Sequence, residues 1–187
     1  MKNIELKVGV DDFSAVSNGL DILHAVPKGR LIQLDTYFNF PSSRLKLREI
    51  DRHIFELIWY RRPNAQHSKI SRYHIFKLRK PFALFVKTIL SFILGRKVTV
   101  EKSRALWMYK KTRIHLDVVK DLGNFVELET VTNSPEKDKA EHNKIVRLLG
   151  LASYQSIAVS YSDILLDARK GFASYNTYQH GVRTIRR

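Results

Sequence analysis

Arg44-Leu45-Lys46-Leu47-Arg48, followed by Glu49, decides how the fold is read. The residues alternate with the period of two that marks a β-strand, so Arg44, Lys46 and Arg48 share one face and Leu45 and Leu47 the other. Three cations in a row on one strand face repel one another. A sheet tolerates them where that face is wetted by solvent or holds anions. A solvated outer face accounts for this strand taken alone; recurrence of the pattern along the chain is what argues otherwise.

Working outward, Pro41-Ser-Ser43 reads as a turn joining this strand to one over Arg30 to Phe40, in which Gln33, Asp35 and Tyr37 share a face. Downstream, Ile54 to Arg61 is a largely apolar strand. Asn64 to Lys69 is a polar loop, and Ile70 to Leu78 alternates again. Ile4 to Val10 is a first strand with Glu5 and Lys7 on one face. Asp11 or Asp12 caps a helix running to about Val26, with an apolar stripe of Phe13, Val16, Leu20 and Leu23. Pro27-Lys-Gly29 breaks it.

Pro81 to Leu94 is predicted to be a buried helix, with proline at its start and Gly95 as its stop. Strands follow within Lys97 to Tyr109, with Lys102 and Arg104 on one face, and over Thr112 to Val119, with Arg113, His115 and Asp117 on one face. Phe125 to Val131 carries Glu127 and Glu129 on one face. Ser134-Pro135 starts a helix to about Leu149, and a last short helix covers Tyr161 to Arg169. Residues 1–169 read as one domain and 170–187 as a basic tail, with Tyr175 and Tyr178 among its aromatics.

The 187 residues carry 33 Lys+Arg against 18 Asp+Glu, a formal net charge of +15. That balance points to polyanionic partners. There are no cysteines, which excludes disulfides and thiolate metal sites. A metal would need oxygen or imidazole ligands, which favours Mg²⁺ or Mn²⁺. The first residues lack the apolar run of a signal peptide, and Phe82 to Leu94 is shorter than the roughly 20 residues of a spanning helix. The expected location is the cytoplasm, with no membrane association.

The charged alternating positions form a set: Lys7, Arg44, Lys46, Arg48, Arg61, Lys102, Arg104 and Arg113 are basic, and Glu5, Asp117, Glu127 and Glu129 acidic. Any single strand of this kind is ordinary. Together they suggest a sheet with one polar face and one face packed on helices. About eight strands in mostly meander order predict an α+β fold whose antiparallel sheet closes into a barrel. Carboxylates two residues apart can hold a divalent ion, and Arg and Lys bind phosphate oxygens, so the set suits a metal–triphosphate.

The chain resembles the CYTH superfamily, which includes class IV adenylyl cyclases and thiamine or inorganic triphosphatases. The matching pieces are Asn3-Ile-Glu-Leu-Lys7, Gln33-Leu-Asp-Thr-Tyr-Phe38, Arg44-Leu-Lys-Leu-Arg-Glu49, Glu56-Leu-Ile-Trp-Tyr60, Val100-Glu-Lys-Ser-Arg104, Arg113-Ile-His-Leu-Asp117, Leu122-Gly-Asn-Phe-Val-Glu-Leu-Glu129 and Ser160-Tyr-Ser-Asp-Ile-Leu165. The resemblance implies a closed eight-stranded antiparallel barrel with flanking helices, the triphosphate tunnel. It implies metal ligands at Glu5, Glu127 and Glu129, with Asp117 beside them. Phosphate would be gripped by Lys7, Arg44, Lys46, Arg48, Arg61, Lys102, Arg104 and Arg113, with Arg62 able to compete for the role of Arg61. Lys7, Arg113 and Asp117 would be catalytic, with Mg²⁺ or Mn²⁺ as cofactor.

One departure stands out: the family's Glu-x-Glu-x-Lys begins here with Asn3, which removes one charge from the metal site. The implied activity is conversion of ATP to cyclic AMP and pyrophosphate. The alternatives are hydrolysis of inorganic, thiamine or nucleoside triphosphate, and non-catalytic binding of polyphosphate or RNA. Relatives of this kind often pair as homodimers. On the predicted polar face, His115 reads as a hydrogen-bonded lining residue or a proton relay. Asp35 and Tyr37 read equally well as a structural network or as the nucleoside end.

Overall fold

In the computed structural model, residues 2–41, 43–61 and 72–169 are described. The basic stretch is a strand, β3 (Arg44–Ile50), between β2 (Val26–Phe38) and β4 (Ile54–Arg61). The remaining elements are β1 (Lys2–Val10), α1 (Ser14–Ile22), β5 (Arg72–Leu78), α2 (Lys80–Ile93), β6 (Arg96–Tyr109), β7 (Thr112–Val119), β8 (Gly123–Thr132), α3 (Pro135–Leu148) and α4 (Tyr161–Arg169). All eight strands join one antiparallel sheet in the order β1-β8-β7-β6-β2-β3-β4-β5.

The expected closure into a barrel is not what the pairing gives. The sheet is open, with β1 and β5 at its two ends, and no ladder joins them among the described residues. The meander is interrupted where α1 separates β1 from β2 and where α2 separates β5 from β6. β2 therefore pairs with β6 instead, from Val26↔Met108 to Phe38↔Arg96. The sheet is nonetheless strongly curled. In a flat sheet, β1 and β3 would lie five spacings, about 24 Å, apart. Yet Lys7 of β1 sits 4.3 Å from the Tyr161 ring centroid, and Arg44 of β3 is 2.7 Å from Asp163, two residues away on α4.

β2 begins at Val26, earlier than Pro27 and Gly29 suggest. A register shift between these two lets the ladder pass a residue that has no N–H to donate. The helix before it is short, Ser14–Ile22. Phe13, not Asp11 or Asp12, stands at its N-cap, and Asp12 just before it accepts the Ser14 N–H at 2.7 Å.

The period-two alternation sorts residues onto two faces. On the outer face, Val8, Ile114, Val126 and Leu128 pack under α1 and α3 with Val16, Leu20, Ile145 and Leu149. Each such burial contributes roughly 1.5–3 kcal/mol. Gly19 lets α1 approach α3 closely, since a Cβ there would lie 2.5 Å from the Leu148 carbonyl oxygen. Under α3, Thr130 Oγ1 lies 2.8 Å from both His142 Nδ1 and Thr112 Oγ1, so these buried polar groups are paired. Further along, Phe38, Leu45 and Leu47 pack against Leu78, Leu90 and Leu94 beneath α2.

On the inner face, α4 and the segment before it cover one region. Ile157, Tyr161, Ile164 and Leu165 pack on Tyr37, Val98, Val100, Val119 and Phe125. The Ile157 N–H donates to the Lys7 carbonyl at 2.7 Å, fixing that segment across β1. The rest of the inner face carries the charged residues, with Gln33, Ile58 and Leu106 opposite Lys102, Lys46 and His115.

Candidate functional site

The inner face brings together Lys7, Arg44, Lys46, Arg48, Lys102, Arg104, Arg113, Asp117, Glu127 and Glu129 from five strands. Adjacent-strand register puts Lys7 opposite Glu127, Glu5 and Arg113 opposite Glu129, and Arg104 opposite Asp117. Lys7, Lys46, Lys102 and Arg104 are each under 8% exposed, which water alone would not tolerate, and each meets a carboxylate. The side chain of Arg61, together with Arg62 and the tail from residue 170, lies outside the described residues.

Two networks can be distinguished. In the first, Asp35 accepts from Lys46 Nζ at 2.7 Å and from Arg48 Nε and Nη2 at 2.8 and 3.0 Å. Burial opposes the Asp35 charge, but Lys46 and Arg48 outweigh it and hold the carboxyl far below its ordinary range. Burial, with Arg48 close by, lowers Lys46 to about 7.

In the second, Asp117 is fully buried and accepts both Arg104 nitrogens at 2.6 Å, Lys102 at 3.2 Å and the Tyr161 hydroxyl at 2.9 Å. Burial works against its charge, yet Lys102 and Arg104 lower it to about 2. Burial and the neighbouring Arg104 bring Lys102 down to about 8. Arg104 also reaches Glu127 at 2.7 Å, which Lys7 approaches at 3.4 Å. Tyr161 lies between two lysines, its ring centroid 4.3 Å from Lys7 Nζ and 5.1 Å from Lys102 Nζ.

At the other end of the face, Arg113 donates twice to Glu129, at 2.9 and 2.7 Å. Between Glu127 and Glu129 stands His115. Among the described residues its buried Nδ1 makes no hydrogen bond, and it lies 3.7 Å from one carboxylate and 4.0 Å from the other. One ligand atom from each of His115, Glu127 and Glu129 lies within 4.8 Å of the other two. Burial, reinforced by Arg104, lowers the His115 pKa, so the ring is neutral near pH 7 with a lone pair to offer. An unpartnered imidazole nitrogen between two carboxylates fits a divalent ion. Asp117 and Glu5 are not in this group: Asp117 is committed to Arg104 and Lys102, and Glu5 stands on the strand opposite Glu129.

Three residues enter the site that the charged alternation did not assign. Asp163 pairs with Arg44 at 2.7 Å, Tyr161 braces Asp117, and Asp35 neutralises Lys46 and Arg48. Asp35 shares strand parity with Gln33 and Tyr37, which was its signal. Tyr161 and Asp163 come from a helix, where strand parity carries no information.

A family model described as CYTH domain matches residues 1–161. A search of curated proteins gave no match. Among solved structures, the PH1012 protein of Pyrococcus horikoshii OT3 superposes with a TM-score of 0.76 at 22% identity, covering 86% of this chain and 98% of that one. A Vibrio parahaemolyticus protein provisionally named adenylate cyclase gives 0.67 at 18% identity, covering 88% and 98%. A Hippeastrum protein, provisionally named adenylyl cyclase and stated to have a dominant triphosphatase activity, gives 0.67 at 16% identity, covering 90% and 96%.

Proposed function

The chain belongs to the CYTH domain family, and on that premise we propose that it is a metal-dependent enzyme acting on a nucleoside triphosphate, converting ATP to cyclic AMP and pyrophosphate. The observation that carries this reading is the pairing of cations with carboxylates across one inner sheet face, beside an imidazole nitrogen that has no hydrogen-bond partner among the described residues. Such a face matches a ligand that is itself an ion pair. A triphosphate draws the arginines and lysines away from their carboxylates, and the released carboxylates are then available to its divalent ion. Each side of the exchange makes the other easier.

In this reading Lys7, Arg44, Lys46, Arg48, Lys102, Arg104 and Arg113 take phosphate oxygens, and Arg61 does so by family resemblance. His115, Glu127 and Glu129 hold Mg²⁺ or Mn²⁺, with Glu5 on the strand opposite Glu129. When bound, the ion withdraws charge from phosphate oxygens and lowers the pKa of the attacking hydroxyl. The ribose 3′-oxygen forms a bond to the α-phosphorus while the bond from that phosphorus to the β-phosphate bridging oxygen breaks. Pyrophosphate leaves, and the hydroxyl proton passes to solvent. Lys7 and Arg113, the cations beside Glu127 and Glu129, stabilise the charge that builds on pyrophosphate. Asp117 is a positioning residue, orienting Arg104 and Lys102.

Hydrolysis is the second reading, favoured by the activity stated for the Hippeastrum relative. There water attacks the terminal phosphorus and ADP leaves. The same cations serve both reactions, which differ in which oxygen is held in line. Incubation with ATP and Mn²⁺ followed by product separation tests the proposal. Cyclic AMP with pyrophosphate supports cyclisation, ADP with phosphate supports hydrolysis, and no turnover of any triphosphate with either metal overturns both.

A further inference from the structure

The helix α2 is apolar on two sides. Ala83, Leu90 and Leu94 face the sheet, where Lys87 also bonds Glu49. On the opposite side, Phe82, Phe85, Ile89, Phe92 and Ile93 fall within an arc of about 100° at the helical 3.6 residues per turn. Phe82, Phe85, Phe92 and Ile93 are 56, 60, 87 and 68% exposed. Phe76 of the end strand β5 is likewise 57% exposed. A helix with apolar residues all round belongs against a second apolar phase. The sequence reading of a buried helix is thus half right: one side is packed, the other is open.

The charges around this face decide what that phase is. Lys77, Arg79 and Lys80 are exposed at its N-terminal end and Arg96 and Lys97 at its C-terminal end. Between Glu56 and Glu101 the sequence contains no Asp or Glu. A second copy seated face to face would bring these cations against their own equivalents and bury no compensating acid. A spanning role is excluded by length, since 14 helical residues reach about 21 Å against a hydrocarbon core of about 30 Å.

We propose that this face seats on the surface of an anionic membrane. Phe82, Phe85 and Phe92 enter the boundary between headgroups and acyl chains, while Lys77, Arg79, Lys80, Arg96 and Lys97 meet the lipid anions. The expectation of no membrane association, drawn from the absence of a spanning segment, does not bear on a helix that lies in the interface.

The test is cosedimentation of the full chain with phosphatidylcholine vesicles, with and without phosphatidylglycerol. Binding is expected with the anionic lipid and weakens as salt rises. The double substitution Phe85→Glu, Phe92→Glu leaves the basic tail intact and is expected to lower partitioning at least about tenfold. Because both side chains are exposed, its thermal midpoint stays at the wild-type value. Independently, the emission added by Phe92→Trp is expected to shift blue on anionic vesicles and to be quenched by lipids brominated on the acyl chain. Absence of binding to anionic vesicles, equal binding by the double variant, or a vesicle-independent dimer that the double variant abolishes would each overturn the proposal.

Discussion

Arg104 and Asp117 meet in two parallel hydrogen bonds, Nε to Oδ1 and Nη2 to Oδ2, both 2.6 Å long and both buried. The pair joins β6 to β7 at the centre of the inner face, and Asp117 also holds Lys102 and Tyr161. Asp117→Asn leaves two buried cations short of a partner. It is expected to destabilise the fold by about 3–5 kcal/mol, measured as a shift in the urea midpoint.

Acid should weaken the fold through these same carboxylates. Asp35, Asp117 and Glu127 are held below their ordinary values by neighbouring cations that outweigh burial. Groups depressed in the folded state contribute stability that is fully present above the unfolded values, near pH 4, and lost as pH falls through the folded ones. Asp117 titrates at about 2. Urea unfolding from pH 7 to pH 2 should show a shallow decline below about pH 6.5, from the depressed His115, and a steeper fall below about pH 4. A flat profile down to pH 2 would remove the argument.

Triphosphate affinity should decline on the alkaline side. Burial brings Lys46 to about 7 and Lys102 to about 8. A bound anion favours their charged forms, so binding takes up protons, and raising pH past these values weakens it. The expected slope approaches a tenfold loss per pH unit for each lysine already deprotonated. Calorimetry in buffers of different ionisation enthalpy would report the proton uptake directly, and Lys46→Met should flatten the profile.

Removal of the unpartnered imidazole tests the metal group. His115→Ala should weaken Mn²⁺ binding by at least about a hundredfold, since loss of a ligand's outer partner alone costs roughly 10–100-fold. Mn²⁺ paramagnetic resonance reads this without any turnover. Glu127→Gln with Glu129→Gln should abolish both metal binding and catalysis. A chain that only binds polyanions would instead bind them slightly more tightly after that change.

Packing supplies a further check. Gly19→Ala gains helix propensity, worth up to about 1 kcal/mol. Its new Cβ, however, meets the α3 backbone, with Leu148 O at 2.5 Å and Leu149 Cα at 2.8 Å. Backbone cannot step aside as a side chain can, so a net loss of about 1–3 kcal/mol is expected. A thermal midpoint at or above the wild-type value would mean that α1 and α3 are less tightly apposed.

Period-two alternation made the strands and their faces legible, because the side chains on a strand have only two directions to take. Leu45 and Leu47 against Arg44, Lys46 and Arg48 is the plainest instance, and the paired glutamates of β8 are another. Sheet order was not legible in the same way. Nothing local to β2 says that it pairs with the distant β6, where Gln33 stands opposite Lys102, so the expected meander and its closure do not follow. Nor does alternation show which acid answers which cation. Asp163 and Tyr161 both arrive from a helix: Asp163 lies 119 residues beyond Arg44, and Tyr161 lies 44 residues beyond Asp117.

The central claim is that the inner face exchanges its internal ion pairs for a metal–triphosphate. Calorimetric titration of the protein with tripolyphosphate, once as its Mn²⁺ complex and once with chelator present, tests this most directly. The account predicts that the complex binds at least about tenfold tighter than the bare anion, because metal and phosphate each release the other's site, a coupling of about 1.4 kcal/mol or more. Equal affinity in the two titrations, or no binding in either, would contradict it.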